Sequence, residues 1–276
     1  MKNYPRILTV QDISCIGQCS LTVALPILSA CGIETAILPS AVLSTHTSVF
    51  KGYTLRDLTD DMPGIIDHWE KEKLYFDAVY TGYLGSERQI DYVLDIERRL
   101  TVKDALLIVD PAMADNGVLY PAFDRKYVLK MKELIAKADI ILPNITEACL
   151  LTGNEYSKEY DRDYISKLLA DLAKLGAGKI ILTGVSYREG YTGVVVYDGG
   201  KIHYYEHELI DRICHGTGDV YASVFTGALL RGHSVESAAQ IAADITVLCI
   251  KNTLDDSEHW YGVKFETAIK ELIAKI

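Results

Sequence analysis

Three short runs decide how this chain folds: Ala105-Leu106-Leu107-Ile108-Val109-Asp110, Asp139-Ile140-Ile141-Leu142-Pro143-Asn144 and Lys179-Ile180-Ile181-Leu182-Thr183-Gly184. Each is an apolar segment that stops at a polar or turn residue, and amphipathic stretches near 124–137 and 160–175 separate them. Unbroken apolar runs suit strands covered on both faces, and helix-length spacers between such runs predict parallel βαβ units. Working outward, strands are expected at 6–10, 35–38 and 78–81, alternating with helices near 19–31, 55–73 and 87–100. After Thr183 the rhythm changes. Gly193 to Tyr205 forms two β-rich runs around Asp198-Gly199-Gly200, which predicts an antiparallel hairpin. From Gly216 helical periodicity dominates, near 218–231, 234–251 and 263–275, while residues 42–53 are irregular enough for a loop or short flap. No linker, repeat or low-complexity segment intervenes. Residues 1–276 therefore read as a single α/β domain with a mostly parallel central sheet flanked by helices and an antiparallel hairpin late in the chain.

Composition limits the function classes. The 276 residues are 49% hydrophobic and 24% charged, which argues against disorder. No apolar run approaches the ~18 residues of a bilayer span, so no membrane association is expected. Lys plus Arg number 28 against 38 Asp plus Glu, a net charge of −10. Nucleic acid is therefore a poor partner, although a local site for a phosphorylated ligand stays open. The N-terminus lacks an apolar signal region, which predicts a cytoplasmic protein. Its six cysteines (Cys15, Cys19, Cys31, Cys149, Cys214, Cys249) have no zinc-finger spacing and are expected to be reduced, mostly as small core residues. Cys15 and Cys19 would share a face only if their segment were helical.

The strongest local signal is Cys214-His215-Gly216-Thr217-Gly218-Asp219 ahead of the small, apolar helix 220–230. Two glycines allow close backbone approach, and a following helix aims its free N–H groups and positive dipole end at whatever sits there. This is an anion hole in outline. Asp219 in its first turn fits both a general base toward a substrate hydroxyl and an ordinary capping carboxylate. Asp110 and Glu147 follow predicted strands, at the carboxyl edge where open α/β sheets place ligands. Asp110 is equally a turn former before Pro111, and Glu147 a first-turn helix carboxylate.

The Gly216-Thr217-Gly218-Asp219 segment, in the last third of a βαβ chain, resembles the signature of the ribokinase-like small-molecule kinases. Further segments resemble the pyridoxal kinase branch in order and spacing: Gln11 after the first strand, Leu43-Ser44-Thr45-His46-Thr47, Thr81-Gly82-Tyr83-Leu84-Gly85, Asp110-Pro111-Ala112-Met113 and Pro143-Asn144-Ile145-Thr146-Glu147. The likeness runs from Arg6 to about residue 250. It implies an ATP-dependent kinase that phosphorylates the 5′-hydroxymethyl group of pyridoxal, pyridoxine or pyridoxamine. Asp219 is then the base, Gly216, Thr217 and Gly218 line the anion hole, and Asp110 with Glu147 organise Mg²⁺. Asn144 and Thr183 would serve the nucleotide, Asn144 through a metal-bound water. Residues 209–213 and the start of the 234–251 helix would wall the adenine. Asp12, His46, Thr47 and Tyr83 would contact a small heteroaromatic alcohol, and a homodimer is implied.

The chain departs from that branch in two places. Asp12 stands where the branch typically has Ser, and an ionised carboxylate only accepts hydrogen bonds, so substrates with a protonated ring nitrogen, a phenolic hydroxyl or an amino group gain. The loop Ala114-Asp115-Asn116-Gly117-Val118-Leu119 lacks the cysteine that traps aldehydes in some members. Two rivals follow: a hydroxymethylpyrimidine kinase, whose motif often ends in Cys where this chain has Asp219, and a weakly active pyridoxal-phosphate-binding homeostasis protein, which has no need of a base.

Overall fold

A computed structural model of the chain describes residues 4–212 and 214–276. The first half runs β1 (Arg6–Ser14), α1 (Leu21–Ala30), β2 (Glu34–Leu43), β3 (Leu55–Asp57), α2 (Met62–Lys71), β4 (Phe76–Thr81), α3 (Glu87–Leu100) and β5 (Thr101–Val109). There follow β6 (Ala114–Asp115), β7 (Val118–Leu119), α4 (Arg125–Ile135), β8 (Ile140–Ile141), α5 (Ile145–Thr152), α6 (Arg162–Ala173) and β9 (Lys179–Val185). The chain closes with β10 (Tyr191–Asp198), β11 (Lys201–Glu208), α7 (Thr217–Leu230), α8 (Val235–Lys251), a 3₁₀ turn (Phe265–Ala268) and α9 (Ile269–Lys275).

Nine strands form one sheet in the order β11-β10-β9-β8-β5-β4-β1-β2-β3. Neighbours from β9 through β2 are parallel, and β3, β10 and β11 add antiparallel edges. The unbroken apolar runs are explained by two cores. Leu8, Leu107, Val109, Ile180 and Leu182 face a layer built on α2 to α6, while Ile7, Ile108 and Ile181 face α1, α7 and α8. Alternate residues of one strand thus enter opposite cores, and each fully buried Leu or Ile contributes roughly 1.5–3 kcal/mol.

Several boundaries differ from the sequence reading. β1 continues to Ser14, so Gln11 and Asp12 are strand residues rather than loop residues. The helix expected over 55–73 begins only at Met62, because Leu55–Asp57 pairs antiparallel with Ala41 to Leu43 and Pro63 sits in the first helical turn. The irregular 42–53 segment is accordingly shorter, with Val42 and Leu43 in β2. The small β6–β7 hairpin was not expected, and helix α5 was implied only by the reading of Glu147 as a first-turn carboxylate, although Asn144 and Glu147 carry the spacing of a capping box. The last predicted helix splits into the 3₁₀ turn and α9. Cys15 is exposed and Cys19 buried, both ahead of α1, so the two share no helical face.

Candidate active site

The carboxyl ends of β1, β4, β5 and β9 meet the start of α7 on one rim of the sheet. Gly216 caps α7 in the left-handed region, at φ 78°. The first helical bond runs from the Val220 N–H to the Gly216 carbonyl, at 3.0 Å. The amides of Thr217, Gly218 and Asp219 precede it, with no intrahelical acceptor, at the positive end of the helix. A side chain at position 216 would come within 1.9 Å of the Gln18 carbonyl oxygen. Glycine is thus required by both conformation and space.

Asp219, half-buried in the first turn, is pushed up to about 7 by burial, then by the charge of Asp110; the Ser20 backbone N–H opposes this, and Asp12 adds to it. Asp110 follows β5, where its N–H bonds the Thr81 carbonyl (3.1 Å) and its Oδ1 accepts from the Ala112 N–H (3.1 Å). Burial and the neighbouring Glu147 charge raise it well above the usual carboxylate range. Glu147 is only 3% exposed. Its Oε1 accepts from the Met113 and Ala114 amides (2.9 and 3.4 Å) and its Oε2 from the Asn144 amide (2.9 Å), yet burial still pushes it up to about 7.

Asp110 and Glu147 are therefore unlike. Glu147 has both oxygens occupied by backbone amides, whereas Asp110 Oδ2 carries no hydrogen bond among the described residues. Asn144 is similarly committed: its Oδ1 accepts from the Glu147 N–H (2.9 Å) and its Nδ2 donates to the Ala114 carbonyl (2.8 Å). Together these two side chains anchor the β6–β7 hairpin onto α5. Thr183 bridges to Asn144 across β8 and β9, and its N–H bonds the Pro143 carbonyl at 3.0 Å. Among the described residues no three His, Cys, Asp or Glu side chains converge as a self-sufficient metal centre. A Mg²⁺ ion completed by phosphates and water suits such a site, since a carboxyl raised by a neighbouring carboxylate, as Asp110 is by Glu147, gains from a cation.

A stability difference follows. Asp110→Asn is expected to raise the thermal midpoint of the ligand-free protein above that of the parent. The folded state holds the Asp110 proton above its ordinary value of 3.8, where the unfolded chain has lost it, so this group's contribution to folding weakens as pH rises from there. The gain from Asn should be absent below about pH 4 and grow as pH rises. Thermal unfolding of both proteins across that range checks it, and a gain that shrinks with rising pH would contradict the assignment.

On the substrate side, Asp12 is 5% exposed and its Oδ2 accepts from the Ser14 hydroxyl at 2.8 Å. Burial raises its pKa, while the Ser20 and Ser14 hydroxyls oppose that shift. Tyr83 is pushed up to about 12 by burial and next by the charge of Asp12. Phe123 backs its ring at 5.3 Å. His46 is buried, with Nε2 on the Tyr261 carbonyl (2.7 Å) and Nδ1 accepting from the Ser48 N–H (3.2 Å). Both ring nitrogens are therefore committed to backbone, which leaves the ring for packing against Phe50 and His215. Thr47 is exposed in the same loop.

A cavity of about 140 Å³ lies beyond the anion hole, lined by Thr217, Leu209, Ile210, Arg212, Val247 and Ile250 among others. Its far wall is the C-terminal half of α8, not the start expected from the sequence; Ile213, also expected here, lies outside the described residues. Sequence reasoning missed Ser14, Ser20 and Tyr120. Tyr120 is raised by burial and then by the charges of Glu147, Asp115, Asp110 and Asp219. None of the three sits in a recognisable motif.

A family model described as phosphomethylpyrimidine kinase matches residues 70–263. The pyridoxal kinase of Lactobacillus plantarum is 32% identical and superposes with a TM-score of 0.90 over 98% of this chain and 97% of that one. A Bacteroides thetaiotaomicron protein of phosphomethylpyrimidine kinase type, solved in a crystal form with pyridoxal, is 37% identical with a TM-score of 0.92, over 97% and 95% of the two chains. The pyridoxal kinase of Dictyostelium discoideum is 28% identical over 244 residues, 82% of this chain and 79% of that one.

Proposed function

Since the chain belongs to the phosphomethylpyrimidine kinase family, we propose that it transfers the γ-phosphoryl group of ATP to the 5′-hydroxymethyl group of a B6 vitamer. The observation that carries this reading is Asp219, a carboxyl pushed up to about 7 in the first turn of α7, beside amides with no helical acceptor. A base of that pKa matches proton removal at neutral pH. Asp219 takes the proton of the hydroxymethyl group, whose oxygen forms the new bond to the γ-phosphorus as the bond to ADP breaks. Gly216, Thr217 and Gly218 place the amides that stabilise charge on the transferring group. The cavity beside Thr217 takes the adenine, with Thr183 toward the phosphates.

Asp110 is the residue with an oxygen free to hold Mg²⁺, directly or through water, and Glu147 supports it by charge and by fixing the β6–β7 hairpin. An ion held there would offset the negative charge of the nucleotide phosphates. Asp110→Asn should therefore raise the Mg²⁺ concentration for half-maximal rate more than Glu147→Gln does. A Mg²⁺ titration of both variants reads the order, and the reverse order would make Glu147 the ligand.

A second reading, hydroxymethylpyrimidine as substrate, is favoured by the Asp12 carboxyl, which suits an amino group. ATP consumption measured in parallel with pyridoxal, pyridoxine, pyridoxamine and hydroxymethylpyrimidine separates the two, and inactivity with all four overturns both. Among the described residues no helix is long and apolar enough to cross a membrane. The resemblance supports a cytoplasmic homodimer, and light scattering of the purified protein tests the dimer.

A further inference from the structure

Between β1 and α1 the chain makes a buckle in which Gly17, Gln18 and Ser20 all have positive φ, at 132°, 57° and 54°. Ser20 combines its φ of 54° with ψ of −131°, the first central position of a type II′ turn, where glycine is normally required. It is also the N-cap of α1, yet its hydroxyl makes no capping bond. Serine is among the best capping residues, so a hydroxyl turned away from the helix has another use. Ser20 is 7% exposed and bridges antiparallel to Ile13, beside Asp12. The bridge to Ile13 and the close approach of Gln18 to Gly216 bring the buckle to the neighbourhood of both carboxyls, where the Ser20 hydroxyl lowers the pKa of Asp12 and its backbone N–H lowers that of Asp219. The buckle is clamped from two sides. A side chain at Gly216 would meet the Gln18 carbonyl oxygen at 1.9 Å, and one at Gly262 would meet the Gln18 Cβ at 2.6 Å.

We propose that Ser20 is a positioning residue that ties the substrate-facing Asp12 to the base Asp219, and that the strained buckle is kept because it delivers the Ser20 hydroxyl and amide to those two carboxyls at once. Residues in sparsely populated backbone regions persist only where surrounding structure holds them, and they concentrate at active sites. Here the clamp is visible in the two glycines. The inference rests on the reading of Asp219 as the base.

The test compares the purified parent, Ser20→Gly and Ser20→Ala by ligand-free thermal unfolding and by steady-state kinetics on the four candidate alcohols. Ser20→Gly should melt a few degrees higher, because glycine adopts this backbone freely. Its kcat should nevertheless fall about tenfold, the worth of a single displaced hydrogen bond at the reacting centre, with KM for ATP within about twofold. Ser20→Ala keeps the strain and the amide but loses the hydroxyl, so it should change the kcat/KM ratio among substrates while kcat on the best of them moves little. A merely structural serine would give the higher melting point of Ser20→Gly with parental kcat and substrate ratios, and that result overturns the proposal. So does a lower melting point for Ser20→Gly, or an unchanged substrate ratio in Ser20→Ala. Inactivity of the parent on every alcohol would instead remove the kinase reading beneath it.

Discussion

Asp219→Asn is expected to lower kcat by about 10²–10⁴-fold while leaving ATP and vitamer binding largely intact, the range typical of general-base loss. The competing role, a first-turn carboxylate serving only the helix, predicts about 1 kcal/mol of stability and no kinetic effect. The two outcomes differ by orders of magnitude. The parent should also show an acidic limb in kcat/KM, because the base must be ionised. In the ligand-free protein Asp219 sits at about 7, held there by burial and by Asp110 and Asp12 against the pull of the Ser20 amide. Activity should therefore decline as pH falls through that value, and the decline should be missing from the residual rate of Asp219→Asn. Near-normal turnover in the variant would remove the base assignment.

Asp12→Ser is expected to redistribute kcat/KM among substrates rather than depress all of them alike. Its carboxyl is buried, its charge raises the pKa of Tyr83, and it already accepts from the Ser14 hydroxyl through Oδ2. A carboxylate has lone pairs beyond those that the Ser14 hydroxyl uses, which can accept from a substrate amino group or protonated ring. A charge-assisted hydrogen bond is worth roughly 1.5–3 kcal/mol, so losing one made to a single substrate should change the ratio by about tenfold or more. Pyridoxamine or the aminopyrimidine should lose most. Equal losses on all four alcohols would mean that Asp12 only shapes the strand end, and no loss would mean that it does not face the substrate.

Much of the site was legible in the sequence because its signals are local. Gly216 to Asp219 sits on four consecutive residues, and a strand followed by Asp110 needs only an apolar run and its end. The roles within the acidic cluster were not legible. Nothing in Pro143-Asn144-Ile145-Thr146-Glu147 says that the Glu147 oxygens are taken by the amides of Met113, Ala114 and Asn144, two of which come from a hairpin distant in the chain. Nor does the sequence around His46 say that its ring nitrogens are committed to the backbone of Tyr261 and Ser48. Ser20 carried no signal at all, because a serine before a helix looks like an ordinary cap.

The sequence by itself determined the parallel βαβ core, the late hairpin and the glycine-flanked start of α7. Each depends on hydrophobic periodicity or on backbone freedom within a few residues, and such preferences act before any long-range contact forms. Only the tertiary structure decided where the sheet ends, which carboxylate keeps a free oxygen, and that residues 17–20 are held in a conformation serine does not choose. Those outcomes depend on packing between segments far apart in the chain, as when the missing side chain of Gly216 lets the helix start close on Gln18. Contacts of that kind, and the desolvation that lifts Asp110 and Asp219 away from ordinary carboxylates, exist only once the strands have assembled and water has been excluded.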